Sequence, residues 1–401
     1  MTLGQGVKLG PLSFPIFRIL ILAGAARVVI RREWIAGKFN SIDKLLFAFS
    51  AWIVIASFAH EWQPGSGPIY ASGMVFNIAG SYLLTRIWCR TIEETVDLAG
   101  TIALMLAPIA VFMALEMQHG RNLFGVFGGV SEIAIMRDGR FRASGPFAHP
   151  ILAGTVGATC LPLMVAIWRF SKPRSVVGVI SCCTMIVASA SSGPILSCLC
   201  GLGALTLWLQ RGIVRVMLVG GVLAYVLAEI VMSQPAVYLL ARMDVTGSST
   251  GYHRAHLIDS AFQHMGEWWL FGTDYTRHWM QTGINASHVD VTNYYIAFGV
   301  TAGLPAMLLM VAIMWKAFSA VGSIARSRSI PSIERFAVWA LGSSLFAHAA
   351  TSVSVAYFDQ SMLFFWTTIA MIASQVSLSR TAPQPAPARR TVAPQSARAH
   401  V

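Results

Sequence analysis

Seven arginines and no lysine stand in two hydrophilic stretches of this sequence, about 119–148 and 236–292: Arg121, Arg137, Arg140, Arg142, Arg242, Arg254 and Arg277. Arginine carries a planar fork that grips phosphate oxygens in pairs, whereas lysine is a mobile point charge. Arginines alone, gathered in this way, point to an anionic, phosphate-bearing ligand. Arg142 opens the run Arg142-Ala-Ser-Gly-Pro-Phe-Ala-His149-Pro150. There Gly145-Pro146 marks a turn, and Pro150 suits the first turn of a helix. The free N–H groups of that helix start would add partial positive charge beside Arg142. His149 reads either as a helix-start residue bonded to backbone or as a ligand contact.

Arg254 lies in a second run, Ser248 to Phe262, that a Ser or Thr before Tyr252 can cap as a helix. Leu257, Ile258, Phe262, Met265, Trp268 and Trp269 continue it with helical apolar spacing, the two tryptophans suiting a membrane interface. His253, His256 and Asp259 drift around that helix and include no HExxH, so no metal is assigned to them. Asp274 and Arg277 read as a local surface pair. His288, Asp290 and Asn293 fall within six residues just before an apolar run. A histidine titrates near neutrality, so His288, oriented by Asp290, is the first choice of general base, with Asn293 set to bond an acceptor. A polar helix cap made by Asp290 or Thr292 is the alternative. Glu116, Glu229 and Asp359 lie in or beside apolar runs, either as functional carboxylates or as buried partners; Glu229 is the second choice of base.

The chain that must position these groups has 401 residues, of which 55% are hydrophobic and only 11% charged, with mean hydropathy +0.63. Soluble domains carry about 25% charged residues, so a water-soluble enzyme is excluded. A net charge of +12 would suggest nucleic acid in a soluble protein; in a membrane protein its distribution is what matters, and no nucleic-acid partner is expected. Apolar runs at about 11–30, 45–62, 68–88, 99–118, 149–169, 175–191, 194–210, 213–235, 293–316, 336–354 and 356–378 give eleven candidate spans, since a span needs about 20 residues. The connectors Arg31 to Lys44, Arg86 and Arg90, Arg169 to Arg174, Arg211 and Arg215, and Lys316 to Arg335, with four tail arginines, hold 19 of the 29 basic residues. By the positive-inside rule that side is the cytoplasm.

The expected fold is therefore all-α: a membrane domain over 1–378 with one external lobe built from the two hydrophilic stretches. Residues 379–401, rich in Pro and Ala and without an acid, are expected to be a disordered cytoplasmic tail. Arg18 and Arg27 interrupt the first apolar run, which argues against a cleavable signal peptide. Five of the six cysteines fall in apolar runs and Cys89 ends one, with no CxxC spacing, so they read as packing residues. There is no P-loop, GxGxxG or DxD motif, so neither a nucleotide nor a metal–nucleotide-sugar donor is expected.

Four stretches resemble the O-antigen ligase and polymerase superfamily of bacterial integral-membrane glycosyltransferases. They are Arg142-Ala-Ser-Gly-Pro-Phe-Ala-His-Pro150; Ala188-Ser-Ala-Ser-Ser-Gly-Pro194; Gly251-Tyr-His-Arg254 with Trp268-Trp-Leu-Phe-Gly272; and His288-Val-Asp-Val-Thr-Asn-Tyr-Tyr295 with Gly303-Leu-Pro305. Each is degenerate, but their order and placement agree over about 100–370. The resemblance implies inverting, metal-independent and cofactor-free transfer of a glycan from undecaprenyl diphosphate to an acceptor glycan or lipid, at the periplasmic face of a bacterial inner membrane. Membrane lipids, a flippase and a chain-length regulator are the partners it implies. It assigns Arg142 and Arg254 to the diphosphate leaving group. Ligase members carry a His-Asn pair before the late helix; here Thr292 precedes Asn293, which favours an exopolysaccharide-type polymerase. The family pattern also has one or two helices before the first that these runs supply. A ligase that transfers glycan to lipid A core is the near alternative. A transporter or flippase of an anionic lipid or solute is the remote one, since no internal repeat is visible.

Overall fold

A computed structural model describes residues 2–10, 12–60, 66–239, 250–281 and 286–381. The described residues are mostly helical, with only short strands. Arg242, Ser248 and the tail from 382 onward lie outside the described residues. Each of the eleven apolar runs contains a helix. The first eight are α1 (Ile16–Arg31), α2 (Ser41–Ala56), α3 (Ser66–Trp88), α4 (Ile92–His119), α5 (Pro150–Ala166), α6 (Lys172–Ala188), α7 (Ser192–Thr206) and α8 (Val214–Val231). Two short helices follow, α9 (Thr250–Gln263) and α10 (Met265–Trp268), then α11 (Tyr294–Arg326), α12 (Ser332–Ser352) and α13 (Met362–Thr381). Among the described residues five segments are long and apolar enough to cross a membrane: Ser41–Ala59, Ile92–His119, Pro150–Arg169, Val214–Val231 and Tyr294–Arg326.

Helix starts follow local chemistry. Asn40 and Asp43 close a capping box on α2, and Thr91 and Glu94 close one on α4, which ends at the left-handed Gly120. Several boundaries differ from expectation: α4 starts at Ile92 and α11 runs on to Arg326, so Lys316 lies inside a helix and not in a connector. The chain before Ile16 pairs as a β-hairpin, β1 (Gly6–Leu9) with β2 (Leu12–Pro15), and α13 begins only at Met362, which leaves 356–361 as a polar loop.

The helix α5 is central: 15 of its 17 residues are buried, including Gly154 and Gly157, which let α6 approach. Around it a single apolar core runs through α2 to α7 and α11 to α13. In α8 no residue is buried, so its apolar surface has lipid as its natural solvent. A second, smaller core joins α9 and α10 to the first turns of α11 through Leu257, Trp268, Trp279 and Ile296. Trp268 is fully buried there and donates Nε1–H to Ala261 O at 2.8 Å, so only Trp269 retains the exposure expected of an interfacial residue.

Two corrections concern charge. Arg86, counted above with the connector charges, is fully buried and makes a bidentate pair with Asp43, at 2.9 and 3.0 Å, which Tyr82 joins at 2.6 Å. Its position near a helix end hid it, because a connector arginine and a buried one look alike in sequence. Asp274 bonds His60 Nδ1 at 2.6 Å, and Arg277 donates to Met280 O at 2.7 Å, in place of the local pair expected between them.

Candidate functional site

The sequence Arg137-Asp-Gly-Arg140 folds as a tight antiparallel hairpin, β3 (Ile135–Arg137) with β4 (Arg140–Arg142). Asp138 and Gly139 sit at φ of 52° and 72°, the left-handed pair that a two-residue hairpin turn requires. Antiparallel partners share a face, so Arg137 stands directly across from Arg140, like charges that repel, with Asp138 3.7 Å from Arg137 Nε. The Asp-Gly signal was present in the sequence, but three-residue strands in an otherwise helical chain gave it no hydrophobic context.

The last residue of β4, Arg142, is 8% exposed. Its guanidinium donates to Ser191 Oγ and, at 3.4 Å, to Ser189 O, while Ala143 N donates to Ala188 O at 2.9 Å. The motif Ala188–Pro194 is thus the seat on which the Arg142 motif rests. Burial lowers the pKa of Arg142, and repulsion from Arg137 and Arg254 pushes the same way. Glu116 accepts N–H bonds from Ser144 at 2.9 Å and Gly145 at 2.8 Å, and Asp359 accepts from Ala148 at 2.8 Å. Gln360 adds a 2.6 Å bond to Pro146 O. The two carboxylates therefore hold the loop after Arg142 by its backbone, a third role beside the functional and arginine-pairing readings. His149 caps α5, its Nδ1 accepting from Ile151 N at 3.1 Å. Burial and the Arg142 charge lower its pKa to about 4.

These elements wall a cleft of about 1860 Å³. Arg142, Arg254, His149 and Asp290, four of the residues singled out in the sequence, line it together with Arg137 and Arg140. Arg18 lines it too, bonded through Nε to Asn77 Oδ1 at 2.8 Å; in the sequence it was only an interruption of an apolar run. Five arginines, three aspartates (Asp138, Asp290 and Asp359) and no lysine are among the described lining residues, and arginine is the cation suited to paired hydrogen bonds with an anion. Tyr357 on the lining is hydrogen-bonded to the buried His348 at 2.7 Å, a pairing no sequence spacing announces.

Three further candidates, His288, Asn293 and Glu229, are off the lining. His288 is packed beside Thr276, Oγ1 to Nδ1 at 3.4 Å, and is not on the lining; burial lowers its pKa against the pull of Asp274. Asn293 caps α11, accepting from Ile296 N at 3.0 Å and donating to Val353 O at 3.0 Å. Glu229, near the end of α8, accepts from Ala236 N at 2.8 Å and is also off the lining. Thr292, which stands where ligases carry histidine, lines the cleft with a buried Oγ1 that has no hydrogen-bond partner.

No known protein-family model matches the chain, and no curated protein matches it. What the cleft can do follows from its own chemistry.

Proposed function

We propose that the chain is a polytopic glycosyltransferase that polymerises polyprenyl-diphosphate-linked glycan units, similar to the O-antigen ligase and polymerase superfamily. Eleven helices span a bacterial inner membrane in this reading, and the cleft opens to the periplasm through a lobe built from the two arginine-bearing stretches. The observation that carries it is the gathering of Arg137, Arg140 and Arg142 with Arg254, which lies more than a hundred residues further along the sequence, in one cleft. Arg137 and Arg254 repel Arg142, a repulsion that Asp138 beside Arg137 offsets in part, and a bound diphosphate would offset it further.

In the reaction, the acceptor hydroxyl loses its proton and its oxygen attacks the anomeric carbon from the side opposite the leaving group. The bond from that carbon to the diphosphate oxygen breaks, and the electron pair leaves with the lipid diphosphate. The arginines stabilise the charge that develops there. A diphosphate needs little protonation to leave, so the remaining task is to accept the hydroxyl proton. Asp290 is the candidate base that reaches the lining, and the proposal gives it that role. His288, two residues away, and Glu229 become alternatives that act only if the chain rearranges around substrate. The open Oγ1 of Thr292 suits a sugar hydroxyl.

Purified protein in lipid nanodiscs, given a lipid-diphosphate-linked oligosaccharide, should produce a ladder of chain lengths. Arg142→Lys and Arg254→Lys keep charge but lose the fork, so each should cost about tenfold or more, about 1.4 kcal/mol of transition-state stabilisation. Asp290→Asn should cost roughly 100-fold, as loss of a general base does, and His288→Ala far less. Normal ladders from both lysine variants would remove the diphosphate assignment. Transfer of one finished glycan to a lipid A core acceptor, without a ladder, would make the protein a ligase.

A further inference from the structure

At the corner between α9 and α10, His264 and Glu267 stand one helical turn apart, and the 3-10 turn Arg277–Trp279 brings His278 against them. One donor atom from each of the three lies within 4.8 Å of the other two. None of the three lines the arginine cleft. We propose that they form a zinc-type divalent cation site that pins the 277–279 turn to the α9–α10 corner.

Each donor is already oriented by a second interaction. His264 bonds Ser260 O through Nδ1 at 2.8 Å, which leaves Nε2 as the ligand atom, the arrangement typical of metal-binding imidazoles. Glu267 Oε2 accepts from Trp279 Nε1 at 3.0 Å, leaving Oε1, which lies 2.9 Å from His278 Nε2. The imidazoles are also held by stacking, His264 on Trp279 at 5.8 Å and His278 on Tyr275 at 5.3 Å. A tetrahedral zinc ion keeps N and O ligands at about 2.0–2.2 Å, hence about 3.4 Å from one another. Closing this trio on an ion takes side-chain shifts on the order of 1 Å. Two imidazoles and one carboxylate suit zinc, whereas calcium and magnesium take oxygen ligands. Glu267 and His278 are 38% and 39% exposed, so the ion has a path in and water can complete the shell.

The consequence reaches the cleft through backbone. Thr276 and Arg277, at the start of the pinned turn, both donate N–H to Ser287 O, at 2.9 and 3.1 Å. Thr276 Oγ1 accepts from Val289 N at 3.0 Å, and the next residue is Asp290. An ion that fixes the turn therefore fixes the strand of chain that carries Asp290. The binding itself does not depend on the glycosyltransferase reading.

The test is made on full-length protein in detergent, stripped with chelator, dialysed and titrated with zinc chloride. The wild type should bind one zinc per chain and melt at a higher temperature when loaded, with magnesium giving no rise. The double variant His264→Ala/His278→Ala should lose at least about tenfold in zinc affinity while melting like the metal-free wild type. Should that variant fail to fold, X-ray absorption of the zinc-loaded wild type decides, because two imidazoles must appear in the shell. Equal zinc binding by wild type and a folded double variant, or a shell without imidazole, overturns the site and leaves His278 and Glu267 as an ion pair.

Discussion

Arg142 is placed by what surrounds its neighbours more than by its own bonds. Glu116 and Asp359 seize the backbone on either side of Gly145-Pro146, so the loop that begins with Arg142 cannot swing away from the seat at Ser189 and Ser191. At the far end of the same loop stands His149, whose depressed pKa makes a pH prediction. A histidine that titrates near 6.5 when unfolded and at about 4 in the folded protein binds its proton last in the native state. Its contribution to stability is complete above 6.5 and is lost as pH falls toward 4. His149→Asn keeps a capping oxygen but removes the titrating ring. Thermal unfolding of that variant should lose less on acidification from pH 6.5 to 4 than wild type, whose slope for this one group is up to about 1.4 kcal/mol per pH unit. Parallel curves would refute the assignment. His149→Ala should instead cost about 1 kcal/mol at neutral pH, through the lost cap.

At the scale of elements, the decisive joint is the break in α11. Ala302 and Gly303 leave helical geometry, Gly303 at φ of 79°, and the freed groups are taken up from outside the helix. Trp52 Nε1 donates to Ala302 O at 2.7 Å, and Leu304 N donates to Trp269 O at 2.8 Å. In return Thr273 N donates to Val300 O at 2.9 Å. Gly272 and Gly303 face each other's segments so closely that a Cβ on Gly303 would overlap Leu270 O, and one on Gly272 would overlap Val300 O. The motifs Trp268–Gly272 and Gly303–Pro305 are thus two halves of one contact, which docks the Arg254-bearing segment on the membrane helices. Gly303→Ala faces both the backbone strain and the overlap, so it should cost about 1–3 kcal/mol. The checks are a lowered unfolding temperature and protease cleavage near 268–276 in purified protein; an unchanged melting curve without new cleavage would contradict this reading.

Across the whole molecule, the β3–β4 hairpin and the start of α9 line the cleft together with the starts of α1, α3, α5, α7, α11 and α13 and the ends of α4 and α6, alternate helix ends from those that carry the basic connectors. The proposed topology would put Ser131, in the first arginine-bearing stretch, outside and Ser329, between α11 and α12, inside; both are exposed. In a background without native cysteines, Ser131→Cys should react with a membrane-impermeant thiol reagent in intact spheroplasts, and Ser329→Cys should react only after lysis. The reverse labelling would invert the topology.

Eleven helices were legible as apolar runs because hydrocarbon-facing backbone must bond within its own segment, which makes long apolar stretches local evidence of helix. The start at Pro150 was legible for the same local reason, a fixed φ, whereas the cap of α11 was expected from Asp290 or Thr292 and is supplied by Asn293. Arginine chemistry at 142 and 254 was legible from residue type alone. Their meeting in one cleft was not, nor was the entry of Arg18, because contacts between distant segments depend on how helices pack, and helix packing reads shape rather than spacing. The same holds for carboxylates. Glu116 and Glu229 look alike as lone acids in apolar runs, yet one clamps the Arg142 loop and the other caps Ala236 N beyond the cleft. His288 and Asp290, two residues apart, part company because Thr276 takes the first while the second reaches the lining. Sequence determined which segments form apolar helices and which residues carry charge beside them; only the tertiary structure decided which of those charges meet, since that is settled by long-range backbone contacts such as Gly272 on Val300.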